Sequence, residues 1–266
     1  MGVTRDCMQR ILTTLMIALL LTQPALAAER IACTASSEEH HHCTGTWLFK
    51  ELPRHIGNDV KETVWNPWHV VALAAGAGLT IVIHQKDTSI QQQFQNRPLG
   101  KTFDDVINIA AEPLVLAGAT TVAFGIAKFA HTEKTAVVTE AMLEALVLTE
   151  TVTVGLKFAT RRGRPDGNGR DSFPSGHTSG AFALAAVSEI FYGPHVGIPA
   201  FALAGLIGAS RLDANRHFAS DVAAGALLGT LVGLGTAKFH KKEFANYFLV
   251  PMANHNSAGI ALVHNF

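Results

Sequence analysis

Apolar runs rich in alanine and glycine occupy most of the chain between residues 68 and 237. Alternation of apolar and polar residues with a period of two is scarce, and each run is long enough for a helix rather than a strand. The sequence therefore predicts an all-α fold, an antiparallel helical bundle whose segments lie at Trp68–Ile83, Pro113–Phe129, Thr135–Phe158, Thr178–Tyr192, Ile198–Ser210 and Ser220–Ala237.

The composition fits a buried helical bundle or a membrane protein. Of the 266 residues, 48% are hydrophobic and only 16% are charged, against about 25% charged residues in an ordinary soluble domain. Lys and Arg together number 21, and Asp and Glu together also number 21. This balance gives no reason to expect a nucleic-acid partner.

The N-terminus resembles an export signal. Arg5 and Arg10 form a basic region, Ile11–Leu21 is an apolar core, and Ala25–Ala27 has the A-x-A cleavage pattern. The sequence predicts a signal peptide over residues 1–27 and export to the periplasm of a bacterial-type cell envelope. An uncleaved anchor helix is the alternative, although the apolar core is short for one.

A polar segment is predicted over residues 28–66. Removal of the signal would take Cys7 and leave Cys33 and Cys43, a pair suited to a disulfide in an oxidising compartment. The intervening residues 38–42 are Glu-Glu-His-His-His, which we interpret as a solvated loop rather than a zinc site, because regular ligand spacing is missing.

The other connections divide the chain further. A polar connector is expected from His84 to Thr102, and the helical domain is expected to span residues 67–240. In the tail, residues 241–266, Tyr247–Val250 and Gly259–Phe266 predict a short β-hairpin.

Three short clusters have the residue types of an oxyanion site. They are Lys157 followed after six residues by Arg164–Pro165; Pro174–His177; and Ser210–Arg211 with His217 and Asp221 at fixed spacings behind it. Each cluster alone is weak evidence, because basic runs are usually solvated and a lone histidine is usually structural.

Together the clusters supply positive charge and free amides. Lys157, Arg164 and Arg211 are cations, and two of them carry the guanidinium fork that suits phosphate oxygens. Ser175 and Gly176 would begin the helix that continues to Phe191, where free N–H groups and the positive end of the helix dipole bind anions.

Two histidines could react with the bound anion or transfer a proton. His217 and Asp221 are four residues apart and would share a helix face, so that the carboxylate holds one imidazole nitrogen. His177 offers a second imidazole for the proton that a leaving group needs. In an antiparallel bundle, the helix ends that carry all three clusters would lie at the same end.

These clusters resemble the signature of the type 2 phosphatidic acid phosphatase and vanadium haloperoxidase superfamily, K-x6-RP, PSGH and SR-x5-H-x3-D. The resemblance covers residues 157–221 without a departure. It implies a helical bundle of the acid phosphatase/vanadium haloperoxidase type. It also implies hydrolysis of phosphate esters through a phosphohistidine, with no metal and no other cofactor.

The resemblance also implies residue roles. His217 would be the nucleophile, Asp221 would orient it, and His177 would protonate the leaving group and then activate water. The phosphoryl oxygens would be held by Lys157, Arg164, Ser175, Gly176 and Arg211.

The relation of the helices to a membrane stays open at this point. Several runs are shorter than the roughly 20 residues of a spanning helix, and the third carries Glu140, Glu144 and Glu150. If the first three runs crossed the membrane after the signal was cleaved, Lys157 at the end of the third run would lie in the cytoplasm. This would conflict with an exported active site. We therefore expect some or all of the runs to be buried helices of a folded periplasmic domain, with membrane association as the alternative.

The expected substrate is a phosphorylated lipid, such as a phosphatidate or an isoprenyl diphosphate, or a phosphorylated small molecule. The alternatives are a soluble periplasmic acid phosphatase of broad specificity, a vanadate-dependent haloperoxidase, and a non-enzymatic helical scaffold. The sequence leaves the oligomeric state open.

Overall fold

The structure is a computed structural model, and it describes residues 67–96, 99–130, 132–245, 247–254 and 257–264. The predicted signal peptide, disulfide and histidine-rich loop lie outside these residues. The described residues form eight helices and one hairpin: α1 Pro67–His84, α2 Asp87–Asn96, α3 Lys101–Ala110, α4 Pro113–Phe129, α5 Glu133–Thr160, α6 Gly176–Tyr192, α7 Pro194–Asp213, α8 Ala219–Ala245, β1 Tyr247–Asn254 and β2 Ser257–His264.

Helix α6 lies at the centre of the bundle and packs against α8, α7 and α5. Its contact with α8 is made by glycines spaced four residues apart, at 225, 229 and 233. A Cβ atom added at Gly229 would lie 2.0 Å from the backbone oxygen of Ser179. The two backbones therefore touch at a distance that any side chain would prevent.

The core is built mainly from alanine. One cluster joins α5, α6 and α8 around Ala141, Ala183 and Ala237, and a second joins α6 and α7 around Ala185 and Ala204. Many larger apolar side chains lie instead on the outer surface of α1, α4 and α7. Small buried side chains let the helices approach closely.

Within the part of the chain that the structure describes, two helices are long and apolar enough to cross a membrane, namely α7 and the segment Ala219–Lys242 of α8. Helices α3 and α4 meet the same test as a pair bent by 50°. The expectation that the runs are too short is therefore wrong for α7 and α8. Both helices are longer than the predicted apolar runs, because they extend through flanking polar residues such as His195 and Lys241.

The predicted polar connector is wrong in part, because residues 84–102 contain α2 and the start of α3. Helix α2 is held by polar contacts rather than by an apolar stripe. The amide of Gln91 donates to the carbonyl oxygen of Leu212 at 2.9 Å, and that of Gln95 donates to the carbonyl oxygen of Asp213 at 3.0 Å. These bonds tie α2 to carbonyl groups at the C-terminal end of α7.

The structure has the predicted C-terminal hairpin, with a longer first strand and with a second strand that begins two residues earlier than predicted. Strands β1 and β2 pair antiparallel from Tyr247 opposite His264 to Asn254 opposite Ser257.

Candidate active site

The loop between α5 and α6 folds back over the end of α5. Arg161 ends α5 in the left-handed conformation, with φ of 45°, and its N–H bonds the carbonyl of Lys157. The amide of Ser172 then donates to the carbonyl of Arg162 at 3.0 Å, which closes the loop. The Lys157 ammonium donates to the carbonyl oxygen of Asp171, so its charge lies beneath this loop.

Arg164 is fixed by a two-pronged contact with Asp171. Its Nε and Nη2 atoms donate to the two carboxylate oxygens at 2.8 and 2.7 Å. Burial opposes ionisation of Asp171, but the Arg164 hydrogen bonds and the nearby cations prevail and lower the pKa of its carboxyl. The guanidinium is therefore held in one orientation by a stable carboxylate.

Helix α6 begins where the sequence predicts, with Ser175 as the N-cap and Gly176 as the first helical residue. The Ser175 amide donates to the carbonyl of Asp221 at 3.1 Å, which ties this helix start to α8. The Ser175 hydroxyl oxygen accepts from Thr178 at 2.9 Å. Its own hydroxyl proton therefore stays available to a ligand, beside the free amides of the first turn.

His217 has a defined tautomer. Its Nδ1 atom lies 2.7 Å from the carbonyl oxygen of Ser172, and a carbonyl can only accept, so Nδ1 carries the proton. The other nitrogen, Nε2, then holds a free lone pair. Burial lowers the pKa of His217 to about 4, so the ring is neutral at neutral pH. A buried neutral imidazole of this kind can act as a nucleophile.

Asp221 lies near His217 but does not bond it directly. The distance from its Oδ2 atom to His217 Nδ1 is 3.9 Å, beyond hydrogen-bond range. Oδ2 instead accepts from the Ser172 hydroxyl at 2.5 Å and from the Phe218 amide at 2.8 Å. Asp221 thus fixes Ser172, whose carbonyl in turn fixes His217.

The shared helix face expected for His217 and Asp221 is wrong in detail. Helix α8 begins at Ala219, so His217 precedes it. The residues of this turn serve as the helix cap, because the Asp221 carboxylate accepts the amide of Phe218 in front of α8. The two side chains are still neighbours, but across a turn.

Arg211 and His177 meet the corner between α3 and α4. The buried Arg211 guanidinium donates from Nη1 to the side-chain oxygen of Asn108 at 2.6 Å. His177 Nε2 lies 3.1 Å from a Glu112 carboxylate oxygen and 3.3 Å from the carbonyl oxygen of Asn108. The backbone carbonyl of Arg211 accepts the His217 amide at 3.3 Å. The structure thus links Arg211 to both histidines.

All the site residues that the sequence indicates lie at one end of the bundle, named the site end below. Hydrogen bonds connect them from the end of α5 through the loop to the starts of α6 and α8 and the end of α7. The residues are Lys157, Arg164, Ser175, Gly176, His177, Arg211, His217 and Asp221.

Behind this site lies a second layer of hydrogen-bonded side chains that was not predicted from the sequence. Arg162 donates to Asp221 at 2.5 Å and to Asp87 at 2.7 Å, and Asp87 also accepts from the amide and hydroxyl of Ser220. Arg162 stood out only as part of a basic run. Asp87 lies some 70 residues earlier, in a helix without an apolar pattern, and no sequence signal connects it with the site.

Comparison with known proteins gives a family match over the residues that form the site. Residues 139–245, which contain all three clusters, match the model of the PAP2 superfamily. A curated relative, lipid A 1-phosphatase from Porphyromonas gingivalis, is 45% identical over 80 residues, or 29% of this chain. That match spans 18% of the length of the relative.

Among solved structures, the crystal structure of Aquifex aeolicus LpxE is similar at 28% identity with a TM-score of 0.47. The match covers 57% of this chain and 94% of that one. The family model confirms the resemblance seen in the three motifs, over the residues 139–245 that match the PAP2 superfamily.

Proposed function

We propose that this protein is a phosphatase that removes phosphate from a membrane lipid through a phosphohistidine on His217. The observation that carries the proposal is the state of this ring. Its Nδ1–H is held by the carbonyl of Ser172, and burial keeps the ring neutral. The Nε2 lone pair is therefore available for attack on phosphorus beside Lys157 and Arg164.

In the first step, His217 Nε2 attacks the phosphorus atom and a nitrogen–phosphorus bond forms. The bond from phosphorus to the leaving oxygen breaks, and its electron pair stays on that oxygen. Protonated His177 gives its proton to this oxygen, so the product leaves as an alcohol. The enzyme is left with phosphorylated His217 and neutral His177.

In the second step, neutral His177 takes a proton from water as the water oxygen attacks phosphorus. The nitrogen–phosphorus bond breaks, and its electron pair returns to Nε2 of His217. Inorganic phosphate leaves, and both histidines regain their starting states. Asp221 keeps the nucleophile oriented in both steps through the Ser172 hydroxyl.

The phosphoryl oxygens carry the charge that must be stabilised during both steps. Lys157, Arg164 and Arg211 supply positive charge, and Ser175 and the Gly176 amide supply hydrogen bonds. Each cation is held by a neighbouring oxygen, so little reorganisation is needed during the reaction. The proposal needs no metal and no cofactor, and activity that required Mg²⁺ and disappeared in EDTA would contradict it.

A lipid phosphate is the proposed substrate, and a lipid A-type glycosyl phosphate is the first one to test. The similarity to a lipid A 1-phosphatase supports this choice. The two apolar helices α7 and α8 also fit membrane association. We place the active site on the periplasmic side of the cell envelope, in line with the export signal predicted over residues 1–27.

The test compares purified wild-type protein in detergent with the variant His217→Ala. We expect wild type to release phosphate from lipid A, and the variant to lose at least about 1,000-fold in kcat, because the nucleophile is gone. His195→Ala, at an exposed histidine of α7, is the matched control. Rapid acid-free quenching with a ³²P-labelled substrate should trap an acid-labile phosphoenzyme in wild type and the control only.

Two results would contradict this function. Near-normal activity of His217→Ala would exclude the nucleophile, and hydrolysis of p-nitrophenyl phosphate without any lipid phosphate would favour the soluble acid phosphatase. Carbonate extraction of cell envelopes tests the membrane association separately.

A further inference from the structure

The corner between α3 and α4 lies outside the segment that matches the family model, yet it contacts two of the proposed site residues. The model begins at residue 139, whereas the corner spans residues 108–112. Its Glu112 carboxylate reaches His177, and its Asn108 side chain reaches Arg211. This part of the chain therefore completes a site that the motifs alone do not describe.

We propose that Glu112 is a positioning residue for His177, and that Asn108 is a positioning residue for Arg211. The proposal rests on the proposed phosphatase function. It assigns the corner two separable tasks: Glu112 acts on proton transfer to the leaving group, whereas Asn108 acts on binding of the phosphoryl group.

The contacts of His177 fix which nitrogen takes part in proton transfer. Its Nε2 atom faces two acceptors, the Glu112 carboxylate at 3.1 Å and the carbonyl oxygen of Asn108 at 3.3 Å. A nitrogen that faces two acceptors carries a proton. In the described part of the chain, Nδ1 of His177 has no hydrogen-bond partner. Nδ1 is therefore the nitrogen that gives and takes the proton, while Glu112 holds the opposite side of the ring.

This arrangement repeats the way in which His217 is held, with the ring reversed. His217 is fixed by an acceptor at Nδ1 and presents Nε2. His177 is fixed by acceptors at Nε2 and presents Nδ1. Each ring thus has one nitrogen bound to the protein and one free for chemistry, which is how a histidine is oriented for proton transfer.

Asn108 acts on a different group. Arg211 Nη1 donates to its side-chain oxygen at 2.6 Å, while Nε and Nη2 both donate to the hydroxyl oxygen of Ser210 at 3.3 and 3.2 Å. The short bond to Asn108 and the two longer ones lie on different parts of the guanidinium, so together they fix its plane. Replacing the Asn108 side chain would leave its backbone carbonyl, and so the contact with His177, in place.

The two tasks differ in how they depend on the leaving group. An alkyl phosphate needs a proton at its leaving oxygen, whereas p-nitrophenyl phosphate releases a stable phenolate that needs little help. Both substrates present the same phosphoryl group to Arg211. In the first step, which kcat/KM reports, a defect in the acid therefore affects the alkyl phosphate selectively, whereas a defect in phosphate binding affects both substrates alike.

The experiment measures kcat and KM of the full chain in detergent with hexyl phosphate and with p-nitrophenyl phosphate. The variant Glu112→Met keeps the length of the side chain and removes its acceptor. We expect it to lose about 10- to 100-fold in kcat/KM on hexyl phosphate, and less than about threefold in kcat/KM on p-nitrophenyl phosphate. Glu112→Gln keeps an acceptor oxygen and should restore most of the loss.

Asn108→Ala and Asp105→Asn complete the set. We expect Asn108→Ala to raise KM by about tenfold for both substrates, as for loss of a charge-assisted hydrogen bond. Asp105→Asn removes an exposed acid from the same helix and should leave both activities unchanged. Glu112→Ala replaces Glu112→Met should the methionine variant fail to fold, which thermal unfolding would show.

The inference about Glu112 is overturned by equal losses of kcat/KM on both substrates, by full activity of Glu112→Met, or by a gain in activity. Equal KM values for wild type and Asn108→Ala overturn the role of Asn108. These failures differ from failure of the proposed function, in which wild type itself would hydrolyse neither substrate or His217→Ala would stay active.

Discussion

Two regions of the bundle differ in the size of their side chains. They are the contact between α6 and α8 and the outer surface of α1, α4 and α7. At the contact, glycines of α8 touch the backbone of α6, and the surrounding side chains are mostly alanine. On the outer surface, large apolar side chains are exposed, among them Phe129 at 90% and Ile198 at 67%.

A water-soluble protein usually buries its large apolar side chains. This bundle buries small residues and exposes large ones, which is the pattern of helices that pack inside a lipid bilayer, where small residues let backbones approach closely. The difference fits membrane association, as do the two helices that are long and apolar enough to span.

The largest effect is expected at the inner contact. Gly229→Ala would place a Cβ atom 2.0 Å from the backbone oxygen of Ser179, and a backbone clash of this kind can be relieved only by separating α6 and α8. We expect a loss of more than about 3 kcal/mol in the free energy of unfolding, and loss of activity, since both helices begin at the site end. Thermal and denaturant unfolding in detergent would measure it.

Gly125 of α4 is the matched control on the outer side. A Cβ atom added there meets nothing within 4 Å, so Gly125→Ala should change stability by no more than about 1 kcal/mol, and in the stabilising direction. Equal effects of the two substitutions would remove the distinction between inner and outer helix faces.

A smaller effect is expected where an outer helix is tied to the site. Asp87 of α2 is buried and accepts from Arg162 and from the amide and hydroxyl of Ser220. Asp87→Ala leaves these donors without their acceptor and should destabilise the protein by about 2 kcal/mol. Because Arg162 also holds Asp221, kcat should fall as well. Unchanged kcat in a folded variant would show that this layer supports only the fold.

Burial at the site end also predicts a pH dependence. Burial lowers the pKa of Lys157 to about 8, so its positive charge is present below that pH and is lost above it. Burial lowers the pKa of His217 to about 4, so the ring becomes protonated and loses its lone pair below that pH. We therefore expect kcat/KM to fall below about pH 4 and above about pH 8. One pH unit above 8, it should be about tenfold lower than its maximum.

The variant Lys157→Arg tests whether loss of the Lys157 charge causes the fall in kcat/KM at alkaline pH, because arginine stays charged throughout this range. We expect the variant to keep its kcat/KM up to about one pH unit higher than wild type. An alkaline limb at the same pH in both proteins would assign that limb to another group.

The sequence was sufficient for the elements whose signal is local. Apolar runs predicted six of the helices, and Ser175–Gly176 predicted the start of α6. The three clusters also led to the right end of the bundle, because helix direction follows from the order of the runs along the chain. The hairpin was predicted from its two short runs, Tyr247–Val250 and Gly259–Phe266.

Residues that act through distant polar contacts could not be predicted in this way. Asp87, Asn108 and Glu112 contact the site or its supporting residues from segments that precede the motifs, and their contacts depend on tertiary packing. The position of His217 before α8 depends on the cap that Asp221 forms, which overrides the expected helical spacing.

The smallest effect on folding is expected on the outer surface, where the comparison can be tested most directly. Ile198, Leu203 and Leu206 of α7 are exposed at 67%, 54% and 51%. Replacing all three with serine removes few internal contacts, so unfolding in detergent should change by less than about 1 kcal/mol. In a bilayer the same change places three hydroxyls against lipid, which is unfavourable. We therefore expect a smaller fraction of the variant to resist carbonate extraction from membranes. If the variant instead unfolds readily in detergent and stays in the membrane, α7 packs against protein at this face, and the outer surface does not face lipid there.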